Sequence, residues 1–242
     1  KLKIKLLLLW IFAMVLLVMP VSFGSTKVNI TVERDTHVIS SNPDTNYNGD
    51  YYLVVRESSS VGLRRTFVMF NFTSLPALSK NDILDARLWV YVWATETPKT
   101  DPLAYTYHVI DNTWSNTKDS TMTWNNNPCG TGAGNPNFNA NCNGTQLSND
   151  STETIGWHGF NVTSAVRIDI GEGDNNVSFV LKHTEGSGTS RDTYFYSNFD
   201  IANAASFSKL EIEYEIIDTT PPEIILINLT SEGGLGQIIY ES

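Results

Sequence analysis

Over residues 209–216 the chain alternates without a break: Leu210, Ile212, Tyr214 and Ile216 are apolar, and Glu211, Glu213 and Glu215 between them are acidic. Successive side chains of a strand point to opposite faces, so this segment buries one face and wets the other. That is a strand of an antiparallel sheet with a single buried face; a parallel strand, covered on both sides, would be apolar throughout. Residues 85–93 repeat the pattern, with Ala86, Leu88, Val90 and Val92 on one side and Arg87, Trp89, Tyr91 and Trp93 on the other. Further strands are expected at 28–32, 52–56, 66–72, 103–109, 177–182 and 193–197, separated by Asn, Gly, Ser and Pro. No segment carries a helical period over three turns. Roughly eight to ten short strands need two packed sheets, so residues 25–217 are expected to form one all-β domain, a jelly-roll-like two-sheet β-sandwich. The polar segment 125–154 reads as a long surface loop.

The N-terminal stretch runs from Lys1, Lys3 and Lys5 through an apolar segment to Pro20 and the small residues near Gly24 and Ser25. This is the order of a secretory signal peptide, expected to be cleaved after residue 24. The apolar part is shorter than the ~18–20 residues of a spanning helix, and no second such run follows, so no membrane span is expected after cleavage. At the other end, residues 218–242 read as a linker, with Thr219, Thr220, Pro221 and Pro222, followed by the first strand of a further, immunoglobulin-like domain. The chain is therefore expected outside the cell or on its surface, joined to other domains of the same protein.

Cys129 and Cys142 are the only cysteines, and in an exported chain such a pair reads as a disulfide. The formal charge is −10, and loss of the three leader lysines would take it to −13, a surface that repels nucleic acid. Asn29, Asn71, Asn143, Asn149, Asn161, Asn176 and Asn228 open glycosylation sequons.

Several segments, in order, resemble the disaggregatase-related, DNRLRE-type carbohydrate-binding modules. They are Asp35-Thr36-His37-Val38; Asn42-Pro43-Asp44-Thr45-Asn46-Tyr47-Asn48-Gly49; and Arg64-Arg65-Thr66-Phe67-Val68-Met69-Phe70-Asn71-Phe72. Ala86-Arg87-Leu88-Trp89-Val90-Tyr91, Trp114 with Thr121-Met122-Thr123-Trp124, Phe160-Asn161-Val162-Thr163 and the closing strand continue the series. The resemblance spans nearly all of 27–216 and implies a secreted or surface β-sandwich that binds extracellular or cell-wall polysaccharide. Three positions depart from it: Asn71 and Asn161 stand where the family usually has Asp, and Met69 where a basic residue is usual.

The outward row Arg87, Trp89, Tyr91 and Trp93 is the leading ligand candidate. Sugar rings carry apolar C–H faces that stack on aromatic planes, while Arg hydrogen-bonds hydroxyls or pairs with carboxylates. The row is equally suited to a second small core beneath segment 125–154. Arg56, Arg65 and Lys182 share outward parity and could serve an acidic sugar. Trp114, Trp124 and Trp157 read as structural, each packing a loop onto the sandwich. Asp35, Asp44, Asn46 and Asp50 offer oxygen ligands that suit Ca²⁺, although such residues are also expected in turns. No cofactor is required. No nucleophile elbow, zinc-protease or phosphate-loop pattern occurs, so the expected role is non-catalytic binding, with a structural or adhesin spacer of the cell envelope as the alternative.

Overall fold

The computed structural model describes residues 24–56, 62–95, 103–112, 114, 121–131, 138–184 and 192–216. The expected leader, the linker after 217 and the sequon at Asn228 lie outside them. Eleven strands are described: β1 (Thr26–Thr31), β2 (Arg34–Ile39), β3 (Tyr52–Arg56), β4 (Arg64–Asn71), β5 (Ile83–Thr95), β6 (Leu103–Val109), β7 (Cys142–Ser151), β8 (Gly156–Asn161), β9 (Asn176–Lys182), β10 (Asp192–Tyr196) and β11 (Lys209–Tyr214). Helix α1 (Thr163–Glu172) follows β8, and a 3₁₀ segment, Ile201–Ser206, precedes β11. Among the described residues no helix is long and apolar enough to cross a membrane.

Every pair among the described strands is antiparallel, in the order β1-β11-β5-β10-β3-β4-β9-β6-β7, with β8 on the other side of β5 and β2 on β4. This sheet curls into two layers. Its core joins Ala86, Leu88, Val90 and Val92 of β5 and Leu210 and Ile212 of β11 to Val68 and Phe70 of β4 and Val177, Phe179 and Leu181 of β9. The all-β sandwich is thus as expected, and the inward residues of β5 and β11 are those the alternation assigns. Strand β5 is the spine of the front layer. Its thirteen residues pair with β11 and β10 along one edge and with β8 along the other.

Strands β2, β7 and β8 and helix α1 depart from the expected pattern. Residues 142–151, taken as part of a loop, form β7 along β6. Only Cys142 of this strand is buried, and its polar remainder gives no alternation to read. Helix α1 was equally hidden. It buries Ala165, Val166 and the carboxyl-bearing Asp169, too little apolar surface for a visible period. Asp169 receives a hydrogen-bonding contact of 2.9 Å from His108 Nε2 on β6, which ties the helix to the back layer. Gly173 then ends the helix at φ 81°, a left-handed conformation suited to glycine.

The outer face of the back layer is roofed. Val38, Phe67, Met69, Tyr107, Val109 and Val180 on β2, β4, β6 and β9 pack against Trp114, Met122, Trp124 and Cys129 of the connection that follows β6. Trp114 donates its indole N–H to Ser178 Oγ at 3.1 Å, so Trp114 and Trp124 are structural, as expected. The roof explains the residue at Met69: in a sealed apolar layer, a thioether needs no partner where a charge would. Cys129 and Cys142 form the expected disulfide, with Cα atoms 5.1 Å apart, and pin the roof to the start of β7. Replacing both by Ser is expected to lower the unfolding free energy by about 3 kcal/mol, the chain-entropy value for a loop of this size. Urea unfolding of the parent and the double variant checks it.

Candidate functional site: an open aromatic face

Among the described residues, nothing comparable roofs the front layer. The outward side chains of β5 stand beside Trp157 of β8, paired with Tyr91, and beside Tyr194 and Tyr196 of β10. Strand β3 extends the face by placing Tyr52 opposite Tyr196. The rings form a continuous patch. Tyr91 lies 5.4 Å from Trp157 and 5.7 Å from Tyr196, Trp93 lies 5.6 Å from Tyr194 and 6.0 Å from Tyr196, and Tyr52 lies 5.7 Å from Tyr194. Trp93 and Trp157 are each 38 % exposed and Tyr52 is 37 % exposed. Contiguous exposed aromatic surface of this kind marks an interaction site.

Within the expected row the members play different parts. Trp89 lies against the backbone of Gly159 on the neighbouring strand, where an added Cβ would sit 2.8 Å from its ring carbon Cζ3. It is half-buried paving that needs glycine opposite. Trp93 is the prominent ring. Trp157, expected to be structural, is corrected to a surface member of the patch, because β8 turns it to the same side as Tyr91. Tyr52, Tyr194 and Tyr196 were missed. Their signal was the shared parity of 194 and 196 in a short strand, but only the pairing of β10 with β5 and β3 brings them here.

The expected cations divide sharply. Arg65 and Lys182 do occupy outward positions of β4 and β9, but on the roofed side, and both are fully buried. Their assignment to sugar binding is therefore corrected. Arg56 stays at the open face with its guanidinium locked in a two-point pair on the buried carboxylate of Asp192, which also accepts the Tyr194 hydroxyl at 2.9 Å. Arg87 is exposed and pairs with Asp85 at 3.1 Å. Lys209 lies over the Trp157 ring at 4.7 Å.

The four oxygen ligands proposed for calcium serve different partners. Asp35 is buried and accepts from Ser197 Oγ at 2.9 Å and the Asn198 backbone N–H at 2.8 Å. Asp44 accepts from Asn125 Nδ2 at 2.8 Å. Asn46 donates to the Met122 carbonyl at 2.8 Å and accepts the Asn48 backbone N–H at 2.9 Å. Asp50 lies 3.7 Å from His37 Nε2, and the His37 ring is stacked between Tyr47 and Tyr52.

Burial pushes the Asp35 carboxyl up to about 6, against the opposing pull of its two donors. Burial, helped by the Arg64 guanidinium, pushes His37 down to about 3. These shifts oppose each other in acid. The native state holds the Asp35 proton at pH values where the unfolded chain has released it, so this group adds stability as pH falls from about 6 towards 4. The unfolded chain protonates His37 below pH ~6.5 while the native state does not, so this group removes stability over the same window. Relative to the parent, Asp35→Asn is expected to lose about 2 kcal/mol between pH 6 and pH 4, and His37→Phe to gain a similar amount. Urea unfolding at pH 4, 5, 6 and 7 gives both slopes.

The sequon residues Asn29, Asn149 and Asn161 are exposed, and Asn71, Asn143 and Asn176 half-buried. Asn71 and Asn161 each accept the backbone N–H of the residue two ahead, at 2.7 and 3.1 Å, in a turn that closes their strands. A carboxylate oxygen would do the same, which is why Asn can stand where Asp is usual.

A two-layer antiparallel sandwich with one outer face sealed and the other presenting open aromatic rings has the build of a binding module. The profile of carbohydrate-binding module family 96 matches residues 26–212, and the chain belongs to that family. Comparison with curated proteins finds no match.

Proposed function

We propose that the chain is the non-catalytic module of a secreted or surface-attached protein, and that it holds polysaccharide on the face formed by Tyr52, Tyr91, Trp93, Trp157, Tyr194 and Tyr196. The supporting observation is the contrast between the layers: the back layer hides its large aromatic residues, while the front layer keeps Trp93 and Trp157 well exposed. Sugar C–H faces stack on such rings, and the phenol hydroxyls and Lys209 supply hydrogen bonds at the margin. Binding of this kind requires no cofactor. The disulfide fits an oxidising exterior.

A panel of immobilised neutral and acidic polysaccharides tests the reading directly. Retention on at least one is expected, with no release of reducing sugar. Failure to bind any member would leave the chain as a spacer of the cell envelope.

A further inference from the structure

We infer that Asn29, Asn149 and Asn161 carry N-linked oligosaccharides, and that these close the free strand edges of the sandwich against pairing with a second copy of the chain. Such transfer acts on exported chains, so the assignment rests on the secreted or surface location proposed above.

Exposure and topology pick out the same three residues. Of the described sequon residues, only Asn29, Asn149 and Asn161 are exposed. Each stands on a strand with a single ladder partner among the described residues. Asn29 is on β1 beside β11, Asn149 on β7 beside β6, and Asn161 on β8 beside β5. A strand edge left open in this way presents unpaired N–H and C=O groups, a template for another chain. Strand β2 also has one partner, but it is buried from Asp35 to Ile39 and needs no guard. Charged residues such as Lys27 on β1 are one kind of guard, and a bulky hydrated oligosaccharide is a stronger one.

Two of the three residues share a row. Asn29 pairs with Glu211, Glu211 with Arg87, and Arg87 with Asn161. One line of outward side chains therefore crosses β1, β11, β5 and β8, about 14 Å in all, and ends on an Asn at each side. The residues that follow, Ile30 and Val162, are buried in the core and hold both Asn side chains outward. Along β8, Asn161 is four residues from Trp157, about 13 Å, so an oligosaccharide there leaves the aromatic rings open.

Transfer joins Asn Nδ2 to the anomeric carbon of an oligosaccharide carried on a lipid phosphate. The anomeric C–O bond to phosphate breaks, Nδ2 loses one proton, and the lipid phosphate leaves. Asn161 engages the Thr163 N–H through Oδ1, at 3.1 Å, and not through the nitrogen that is modified. The Thr163 hydroxyl, which completes the sequon, accepts the Ala86 N–H at 2.9 Å and donates to Asp85 at 3.2 Å. Transfer to Asn161 therefore precedes the docking of β8 on β5, while the chain is being exported. The half-buried Asn71, Asn143 and Asn176 are expected to be the less occupied sites, since Asn71 and Asn176 also face each other across β4 and β9.

Peptide mass spectrometry of the chain recovered from its own cells reads every site, and the N-terminal peptide reports removal of the leader. Chains that begin near Ser25 and carry oligosaccharide on Asn29, Asn149 and Asn161 are expected. Chains so processed but bare at all three residues would overturn the sites and leave the secreted location standing. Bare residues on chains that keep the leader would take that location down as well. Sedimentation then reads the guarding role. The triple variant Asn29→Gln, Asn149→Gln, Asn161→Gln, from the same cells, is expected to shift from monomer to larger species at concentrations where the parent stays monomeric. Thr31→Ala, which keeps Asn29 but removes its sequon, is expected to shift in the same direction. Circular dichroism confirms that both variants are folded. Monomeric behaviour of both would overturn the guarding of the edges.

Discussion

Trp93→Ala combined with Trp157→Ala is expected to abolish glycan binding and to leave the fold standing. Each indole lies at the surface, and their ring neighbours are the other aromatics of the same patch. Central aromatic anchors of interfaces contribute about 2 kcal/mol or more when truncated, so two of them account for roughly a thousandfold in affinity. The stability effect is far smaller, since surface substitutions away from packed features usually change folding by about 0.5 kcal/mol or less. Affinity electrophoresis on the polysaccharide retained by the parent reads the first quantity, and urea unfolding reads the second. The contrast with Trp89 sharpens the test. Trp89 packs on Gly159, so its truncation is expected to lower stability as well as affinity. Undiminished binding by the double variant would remove the face from consideration.

The difference between what could be read in advance and what could not follows from the range of the interactions. Strands β5 and β11 were legible because one wet and one dry face leave a period of two in the residues themselves. Strands β3 and β6 were found for a similar reason, being short apolar runs bounded by turn residues. Strand β8 was not: Gly156-Trp157-His158-Gly159 gives no run of strand formers, so no parity could be assigned to Trp157. Arg65 and Lys182 show a different limit. Their parity was right, yet parity says only which side of a strand a residue occupies. Whether that side meets water depends on where the connection after β6 comes to rest, which is set by the pairing of β4 with β9 and of β6 with β9. The segment expected to cover an aromatic row does cover one side of the sandwich, but the opposite one. The same non-local pairing that exposed Trp93 buried Arg65.

Arg65→Ala is accordingly expected to act on stability and not on sugar. In the folded protein its Nη1 donates to the Gly130 carbonyl at 2.7 Å, and its guanidinium lies 4.7 Å from the Trp124 ring and 5.3 Å from the Phe138 ring. Lys182, on the adjoining strand, lies 4.9 Å from the same Phe138 ring. The Gly130 carbonyl also accepts Asn127 Nδ2 at 3.2 Å, so Arg65 helps hold the turn beside Cys129 that the disulfide anchors from the other side. Truncation removes a charged hydrogen bond and two cation–π contacts and leaves a cavity in a sealed layer. The combined loss is about 4 kcal/mol, near the upper end for a single substitution. Arg65→Met restores most of the volume but not the hydrogen bond, and about half that loss is expected. Urea unfolding measures both, and near-ultraviolet circular dichroism follows the roof through Trp114 and Trp124. Glycan affinity is read in parallel under conditions where each variant remains folded. Stability falling with affinity unchanged places the ligand on the front layer. Affinity falling with stability unchanged would mean that the roof opens and that the buried cations, not the open aromatic rings, meet the polysaccharide.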